Sequence, residues 1–252
     1  MDTRLPEFDL APLTRFTPDI IRKDYDQQDA FVLALALVYN DFKTCTWLLH
    51  ILKHEDDPEA VTPYNGQVSG MRVYALRLYF GILHELLVAI QEAQKAGILS
   101  KKEFAFCVEQ VGAEGKADWA ALVDAATSST QKDPLRKWLV RVRNSISFHY
   151  YNPKDLHAGY RRFFHENPRS PRNEFAFASL GDTLEGSRFY FADAAAVSAY
   201  KEVMDSTGGA VPSAEEYSKR VNAALRGIVA KYCESRHILE TTVTAATDEQ
   251  TS

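Results

Sequence analysis

The fold class follows from the stretch AFVLALALVY at residues 30–39, which is apolar on every side of a helix. The segment from Val73 to Ile90 is nearly as apolar and has the same helical character. Helices without a polar face are buried by neighbouring helices. We therefore expect an all-α protein built on a four-helix-type bundle.

Capping residues and helix stops predict where the other helices begin and end. Thr17-Pro18 predicts the start of the first helix, Ser100 with Glu103 predicts a capping box, and Asn152-Pro153 predicts both a stop and a new start. In chain order, the predicted helices run from about Thr17 to Lys53, Ser69 to Lys95, Ser100 to Thr127 with a break at Gly112–Gly115, Asp133 to Tyr151, and Pro153 to His165.

A different pattern follows Pro171. Four phenylalanines at positions 175, 177, 189 and 191 flank the turn-forming residues 181–186 and predict a short β-hairpin. Two more helices are predicted, at about Asp193–Ser206 and from Ser213, the second with an apolar stripe at Tyr217, Val221, Leu225, Ile228 and Tyr232. We expect three parts: a helical bundle at 17–165, an extension at 166–240, and a disordered tail at 241–252.

Composition favours a globular protein of the reducing cytoplasm. Hydrophobic residues make up 46% and charged residues 25% of the 252 residues. The ten-residue apolar run at 30–39 is about half as long as a membrane-spanning helix requires, so we expect no membrane span. The N-terminus does not resemble a secretory signal. Three well-separated cysteines make a disulfide framework improbable.

Positive charge is concentrated in one part of an otherwise acidic chain. The whole protein carries −5, but residues 132–172 alone carry +7. Such a stretch is what a site for an anionic polymer would require. The same clustering can arise by chance on exposed helix faces. The predicted nucleic-acid-binding residues are Lys132, Arg136, Arg141, Lys154, Arg161 and Arg162.

The segment Arg143–Tyr150 lies inside this basic stretch and combines an arginine, an asparagine and a histidine. At about 100° per residue, His149 falls on the helical face of Val142, Leu139 and Trp138, and Arg143 falls at the edge of that face. A histidine near the C-terminus of a helix can act as a general acid or base near neutral pH. An arginine is suited to binding a phosphate.

These residues resemble the R-x4-6-H motif of the HEPN superfamily (higher eukaryotes and prokaryotes nucleotide-binding). The resemblance covers about residues 17–165 and implies a homodimer with two facing motifs. It also implies a metal-independent endoribonuclease that leaves a 2′,3′-cyclic phosphate. In that reaction His149 would be the acid or base, Arg143 would stabilise the phosphate, and Asn144 would position the site. Tyr150 lies beside the motif, and Glu85 is a candidate to orient His149.

The resemblance further implies a toxin or phage-defence setting, with a possible antitoxin or nucleotidyltransferase partner. On a helical wheel of about 100° per residue, Asn144 points away from His149. We expect no cofactor, and the histidine spacing predicts no metal site. Two alternatives stay open. One is a non-catalytic interaction or nucleotide-binding module built on the same bundle, and the other is a helical scaffold that docks an acidic protein.

Overall fold

The computed structural model describes residues 13–14, 16–55, 61–128, 134–142, 154–205, 214–236 and 242–243, and this part of the chain is mostly helical. The helices are α1 (Gln27–Glu55), α2 (Pro63–Lys95), α3 (Lys102–Gln110), α4 (Ala113–Thr127), α5 (Pro134–Val142), α6 (Lys154–Arg161), α7 (Tyr190–Asp205), α8 (Ala214–Val221) and α9 (Gly227–Ser235). The predicted all-α class is confirmed.

Short elements connect or extend these helices. A π-helical turn, Arg162–Glu166, continues α6, and another, Asn222–Arg226, joins α8 to α9. The 3₁₀ turns are Pro18–Ile20 and Ile98–Ser100. Two-residue strands, β1 (Leu13–Thr14) and β2 (Thr242–Val243), pair antiparallel. The rest of the predicted tail lies outside the described residues.

The first helix begins ten residues later than Thr17-Pro18 predicts. That signal produces only the 3₁₀ turn, and Asp26 caps the true helix start instead. Its Oδ1 accepts hydrogen bonds from the backbone N–H groups of Asp29 (3.1 Å) and Gln28 (2.9 Å). The bond from Asp29 is the largest influence that holds the pKa of Asp26 below its usual range, because it favours the charged carboxylate.

The second helix begins at Pro63, six residues before the predicted start. Thr62 caps it, since its Oγ1 accepts from the backbone N–H of Asn65 at 3.1 Å, and Pro63 occupies the first helical position. The helix ends at Lys95 as predicted. Gly97 follows at φ 72°, a left-handed conformation that favours glycine.

The predicted capping box at Ser100 and Glu103 is wrong. The helix α3 begins at Lys102, and the Ser100 hydroxyl donates back to the carbonyl of Gly97 at 2.9 Å. The Glu103 carboxylate instead binds Arg236, 133 residues away. The predicted break at Gly112–Gly115 is confirmed at Gly112 only, because α3 ends at Gln110 and α4 already starts at Ala113, so Gly115 is helical.

The helix α2 is central to the fold and packs against α1, α4, α5 and α7. Its Tyr79 and Phe80 lie in a chain of aromatic rings, with Phe42 of α1 4.7 Å from Tyr79 and Trp138 of α5 4.5 Å from Phe80. Buried side chains from both sides of the predicted boundary at 165 belong to one hydrophobic cluster. The stripe predicted on the last helix is confirmed, since all of its members are buried: Tyr217, Val221, Leu225, Ile228 and Tyr232.

The predicted hairpin after Pro171 is not confirmed. The structure has one isolated antiparallel bridge there, between Ser179 and Arg188, and Phe191 already belongs to the first turn of α7. Phe175 and Phe189 are exposed, so the alternation of phenylalanines does not mark a buried face.

Among the described helices, α1 and α2 are long and apolar enough to cross a membrane by length and composition alone. The buried core helix of a globular protein passes the same test. The absence of a membrane span, expected from the length of the apolar run at residues 30–39 alone, stays a prediction. The three cysteines, Cys45, Cys107 and Cys233, are free.

Candidate functional site

The predicted catalytic residues Arg143, Asn144 and His149, and the neighbouring Tyr150, lie outside the described residues. The structure describes the two helices that flank them, with α5 ending at Val142 and α6 beginning at Lys154.

The helix that leads into the motif is anchored in the core. Trp138, Leu139 and Val142 are buried, so for these three residues the predicted buried stripe of α5 is confirmed. The Trp138 indole stands edge-on against the ring of Phe80, with an interplanar angle of 89°. Such aromatic pairs add stability beyond the area that they bury. The end of α5 is thus held firmly against α2.

Glu85, predicted to orient His149, lies on the exposed side of α2. Its carboxylate Oε1 is 3.4 Å from Nδ1 of His84, and the Glu85 side chain is 60% exposed against 15% for His84. This arrangement places Glu85 beside a half-buried histidine of its own helix. A contact between Glu85 and His149 falls outside the described residues.

The Arg136 side chain forms hydrogen bonds within the protein. Its Nη1 donates to the carbonyl oxygens of Ala126 (2.7 Å) and Ser128 (3.0 Å), and its Nη2 donates to Oε1 of Gln91 (3.0 Å). The C-terminal carbonyls of α4 have no partner within their helix, and a cation there also complements the helix dipole. Arg136 therefore joins the end of α4 to α2 and α5.

The arginines of the α6 region also have carboxylate partners. Arg161 Nε lies 2.8 Å from Oε1 of Glu166, and Arg162 pairs with Glu202 while its Nε donates to the hydroxyl of Ser198. Arg161 remains largely exposed and can still meet a phosphate. Lys154 is exposed at the start of α6. Lys132 and the side chain of Arg141 lie outside what the structure describes.

A buried ionic cluster, missed by the sequence analysis, joins the beginnings of α1 and α3 to the end of α9. Arg236 donates from Nη1 to Oδ2 of Asp29 (3.2 Å) and from Nε to Oε1 of Glu103 (2.6 Å). The Tyr232 hydroxyl donates to Asp29 Oδ1 at 2.5 Å, and Arg22 lies 3.1 Å from Glu103. The sequence separations exceed 80 residues, so no local pattern announces this cluster.

The cluster keeps both carboxylates ionised. Burial alone would raise the pKa of Asp29, but hydrogen bonds from Tyr232, the Arg22 backbone N–H and Arg236 outweigh it and lower the pKa. The hydrogen bond from Arg236 is the main reason that the pKa of Glu103 is low. Because their donors and acceptors are used within the protein, these groups serve to hold helices together.

A second feature that the sequence analysis missed is a cavity of about 420 Å³. One wall is a face of the first four turns of α2. The other walls are the π-helical turn after α6, residues 172–179, and the first turns of α7. The lining is mainly apolar, with a few polar groups, as is usual for small-molecule sites.

Two glycines, four residues apart on α2, let the segment before α7 pack closely against this helix. A Cβ at Gly66 would lie 2.6 Å from the ring of Tyr190, and one at Gly70 would meet the guanidinium of Arg188. Arg188 in turn binds Asp193 Oδ2 at 2.9 Å. The glycine pair near the start of α2 is the signal that could have predicted this close packing.

The described residues contain no group of three or more histidine, cysteine, aspartate or glutamate side chains suited to hold a metal ion. Comparison of the chain with protein-family models, characterised proteins and solved structures gives no match.

Proposed function

We propose that this protein is a metal-independent endoribonuclease of the HEPN type. The observation that carries the proposal is the position of the Arg143–His149 pair immediately after α5. Trp138, Leu139 and Val142 of that helix are buried. On an ideal helical wheel of about 100° per residue, His149 would fall on the same face. The bundle within residues 17–165 would be the framework of the nuclease.

Anchoring of α5 supports this proposal. General acid–base catalysis requires the catalytic side chain to stay within hydrogen-bond reach of the proton that it transfers. A helix held by Trp138 against Phe80 provides a firm support for the residues that follow it. The basic residues of the 132–172 stretch would attract RNA to the same region.

The proposed reaction is a transesterification. His149 acts as a base and removes the proton of an RNA 2′-hydroxyl, whose oxygen attacks the adjacent phosphorus atom. The bond from phosphorus to the 5′-oxygen breaks, and an imidazolium returns a proton to that oxygen. The products are a 2′,3′-cyclic phosphate and a 5′-hydroxyl end. Arg143 stabilises the negative charge that develops on the phosphoryl oxygens.

Two copies would complete the site, because Arg143 and His149 are about 120° apart on a helical wheel. We thus propose a homodimer with a cleft between paired motifs. The toxin or phage-defence setting and an antitoxin or nucleotidyltransferase partner belong to the same proposal. The cytoplasm is its proposed location, where RNA is available.

Cleavage of single-stranded RNA in EDTA, followed by analysis of the new ends, tests the chemistry. Cleavage that persists and leaves cyclic phosphate ends supports the mechanism. Loss of cleavage on chelation, with recovery on adding magnesium or manganese, contradicts it.

The matched variants are His149→Ala and His157→Ala. His157 is an exposed histidine of α6, eight residues further along the same basic stretch. Loss of an acid or base slows a reaction by about 10²- to 10⁴-fold, so His149→Ala should abolish most cleavage while His157→Ala retains it. Equal activity of the two variants would contradict a catalytic role for His149.

The internal pairing of Arg136, Arg161 and Arg162 favours the alternative, a non-catalytic interaction module. In that case the +7 stretch would mostly support the fold. A wild-type protein that forms dimers and cleaves no RNA, together with a His149→Ala variant that dissociates, would select this alternative.

A further inference from the structure

The cavity beside α2 has a wall rich in aromatic rings. Its members come from the turn after α6, the 172–179 segment and the start of α7, and they are Phe163, Phe164, Phe177, Tyr190 and Phe191. The Phe163 and Phe164 rings meet at 77° with centroids 4.8 Å apart. Rings at such angles offer both faces and edges, which are the surfaces that a planar aromatic ligand contacts.

The opposite wall supplies the space. Small residues line it there, notably Thr62, which caps α2, Ser69 of α2 and Ala194 of α7. Gly66 also lines the cavity, but the ring of Tyr190 packs directly against it. The cavity volume of about 420 Å³ lies within the range of about 300–1,000 Å³ typical of ligand sites.

The charge of the lining favours an anion. The cavity is lined by two arginines, Arg72 and Arg172, and by one acidic residue, Asp193. The Asp193 carboxylate already binds Arg188 at 2.9 Å, which offsets its charge. A guanidinium has five N–H donors, so each arginine can bind a ligand carboxylate in addition to its contacts within the protein.

The beginning of α2 adds to this preference. Thr62 and Pro63, at the first turn of the helix, line the same cavity as the arginines. Helix N-termini carry partial positive charge and favour anionic groups.

We infer that this cavity binds a small aromatic carboxylic acid. The planar body would lie against the phenylalanine and tyrosine rings, and the single carboxylate would meet the positive charge of Arg72 and Arg172. The inference does not depend on RNA cleavage.

Titration calorimetry of the full chain with indole-3-acetate, and with its neutral isostere indole-3-acetamide, tests the inference. We expect one molecule of indole-3-acetate per chain, with a Kd on the order of 0.1 mM for a ligand of this size. A hydrogen bond to a charged group is worth enough that the acetamide should bind about 10-fold more weakly or worse. No binding of indole-3-acetate, or equal binding of both, would overturn the inference.

Two variants, each paired with a control variant, show whether the ligand binds in this cavity. Ala194→Phe places a ring in the cavity and should abolish binding, whereas Ala192→Phe, at an exposed position two residues earlier on α7, should not change it. Arg172→Gln removes one cation and should weaken binding about 10-fold, while Arg169→Gln, at an exposed position outside the lining, should leave it within about twofold.

Circular dichroism of each variant confirms folding. If Ala194→Phe fails to fold, the comparison of Arg172→Gln with Arg169→Gln decides the question. Binding that survives Ala194→Phe in a folded protein, or that falls equally in both arginine variants, would place the ligand elsewhere and overturn the inference. None of these measurements uses RNA, so their failure is distinct from failure of the nuclease proposal.

Discussion

Replacing Arg236 by methionine tests whether the buried ionic cluster holds the helices together. The Arg236 side chain is 10% exposed and bonds to Asp29, Glu103 and the Tyr232 hydroxyl. Methionine keeps much of the length of the side chain but removes the charge and every donor. Asp29, only 3% exposed, would then keep hydrogen bonds from Tyr232 and the Arg22 backbone, with the nearest remaining cation, a nitrogen of Arg22, 3.8 Å away.

Removing one partner of a buried ion pair typically costs about 3–5 kcal/mol, because the other charge remains buried. In a chain of this size each kcal/mol lowers the melting temperature by about 2–4 °C. We therefore expect Arg236→Met to lower the melting temperature by about 6–20 °C at pH 7. Circular dichroism or scanning calorimetry measures the change.

The loss should depend on pH. The pKa values of Asp29 and Glu103 are lowered in the folded protein. Their stabilising effect is therefore present above the unfolded pKa of about 4 and is lost as the pH falls through the lower, folded values. Without Arg236 the variant has less of this effect to lose. The difference in melting temperature between the wild type and Arg236→Met should consequently shrink below about pH 4.

Lys231→Met is the matched control. Lys231 pairs with Glu234 at 2.6 Å on the same helix, but both side chains are well exposed. Exposed pairs contribute about 0–1 kcal/mol, so this variant should melt within about 4 °C of wild type. A loss of stability below about 1 kcal/mol for Arg236→Met would refute the reasoning. A difference in melting temperature from the wild type that stays constant in acid would also refute it.

Thermal unfolding of four further variants tests the packing and capping of the helices. Gly159→Ala would place a Cβ 2.3 Å from the Ala195 backbone oxygen and should cost about 1–3 kcal/mol of stability. Gly70→Ala, the control, meets only the end of a flexible side chain and should cost less. Equal losses of stability would contradict the close approach of α6 and α7. Trp138→Ala should cost about 3–5 kcal/mol, because it empties a buried aromatic position; a cost under about 1 kcal/mol would deny the anchoring of α5. Asp26→Ala removes the cap of α1 and should cost about 1 kcal/mol; no loss would mean that the cap contributes nothing.

The sequence predicted the helices best where the signal was local. The break between α3 and α4, the stop at Gly97 and the apolar stripe of the last helix follow from spacing and from glycine, and the structure confirms all three. The same cap signal had two outcomes, however. Thr62-Pro63 opens a helix of 33 residues, whereas Thr17-Pro18 opens one 3₁₀ turn, after which Ile21 is extended and Asp26 caps α1.

Long-range contacts explain the remaining differences. Glu103 has the spacing of a capping-box residue, but the guanidinium of Arg236 offers a charged partner that a backbone N–H cannot match. Likewise, Gly66 packs closely against the ring of Tyr190, and these two residues are 124 positions apart. Helical periodicity in the sequence predicts neither contact, because it reports only on neighbouring residues. The candidate motif, by contrast, is a short local pattern, so the sequence predicts its residues without fixing their geometry.

One aromatic group connects the supports of the two candidate sites. The Phe80 ring of α2 packs against Trp138 of α5 at 4.5 Å and against Tyr200 of α7 at 5.5 Å, and the latter two rings are 6.1 Å apart. The helix α5 leads into the Arg143–His149 motif, while the first turns of α7 line the cavity. Protein interiors are close-packed, so neither helix can shift without disturbing a ring that also supports the other. The Phe80 ring therefore packs both against the helix that precedes the motif and against the helix whose first turns line the cavity.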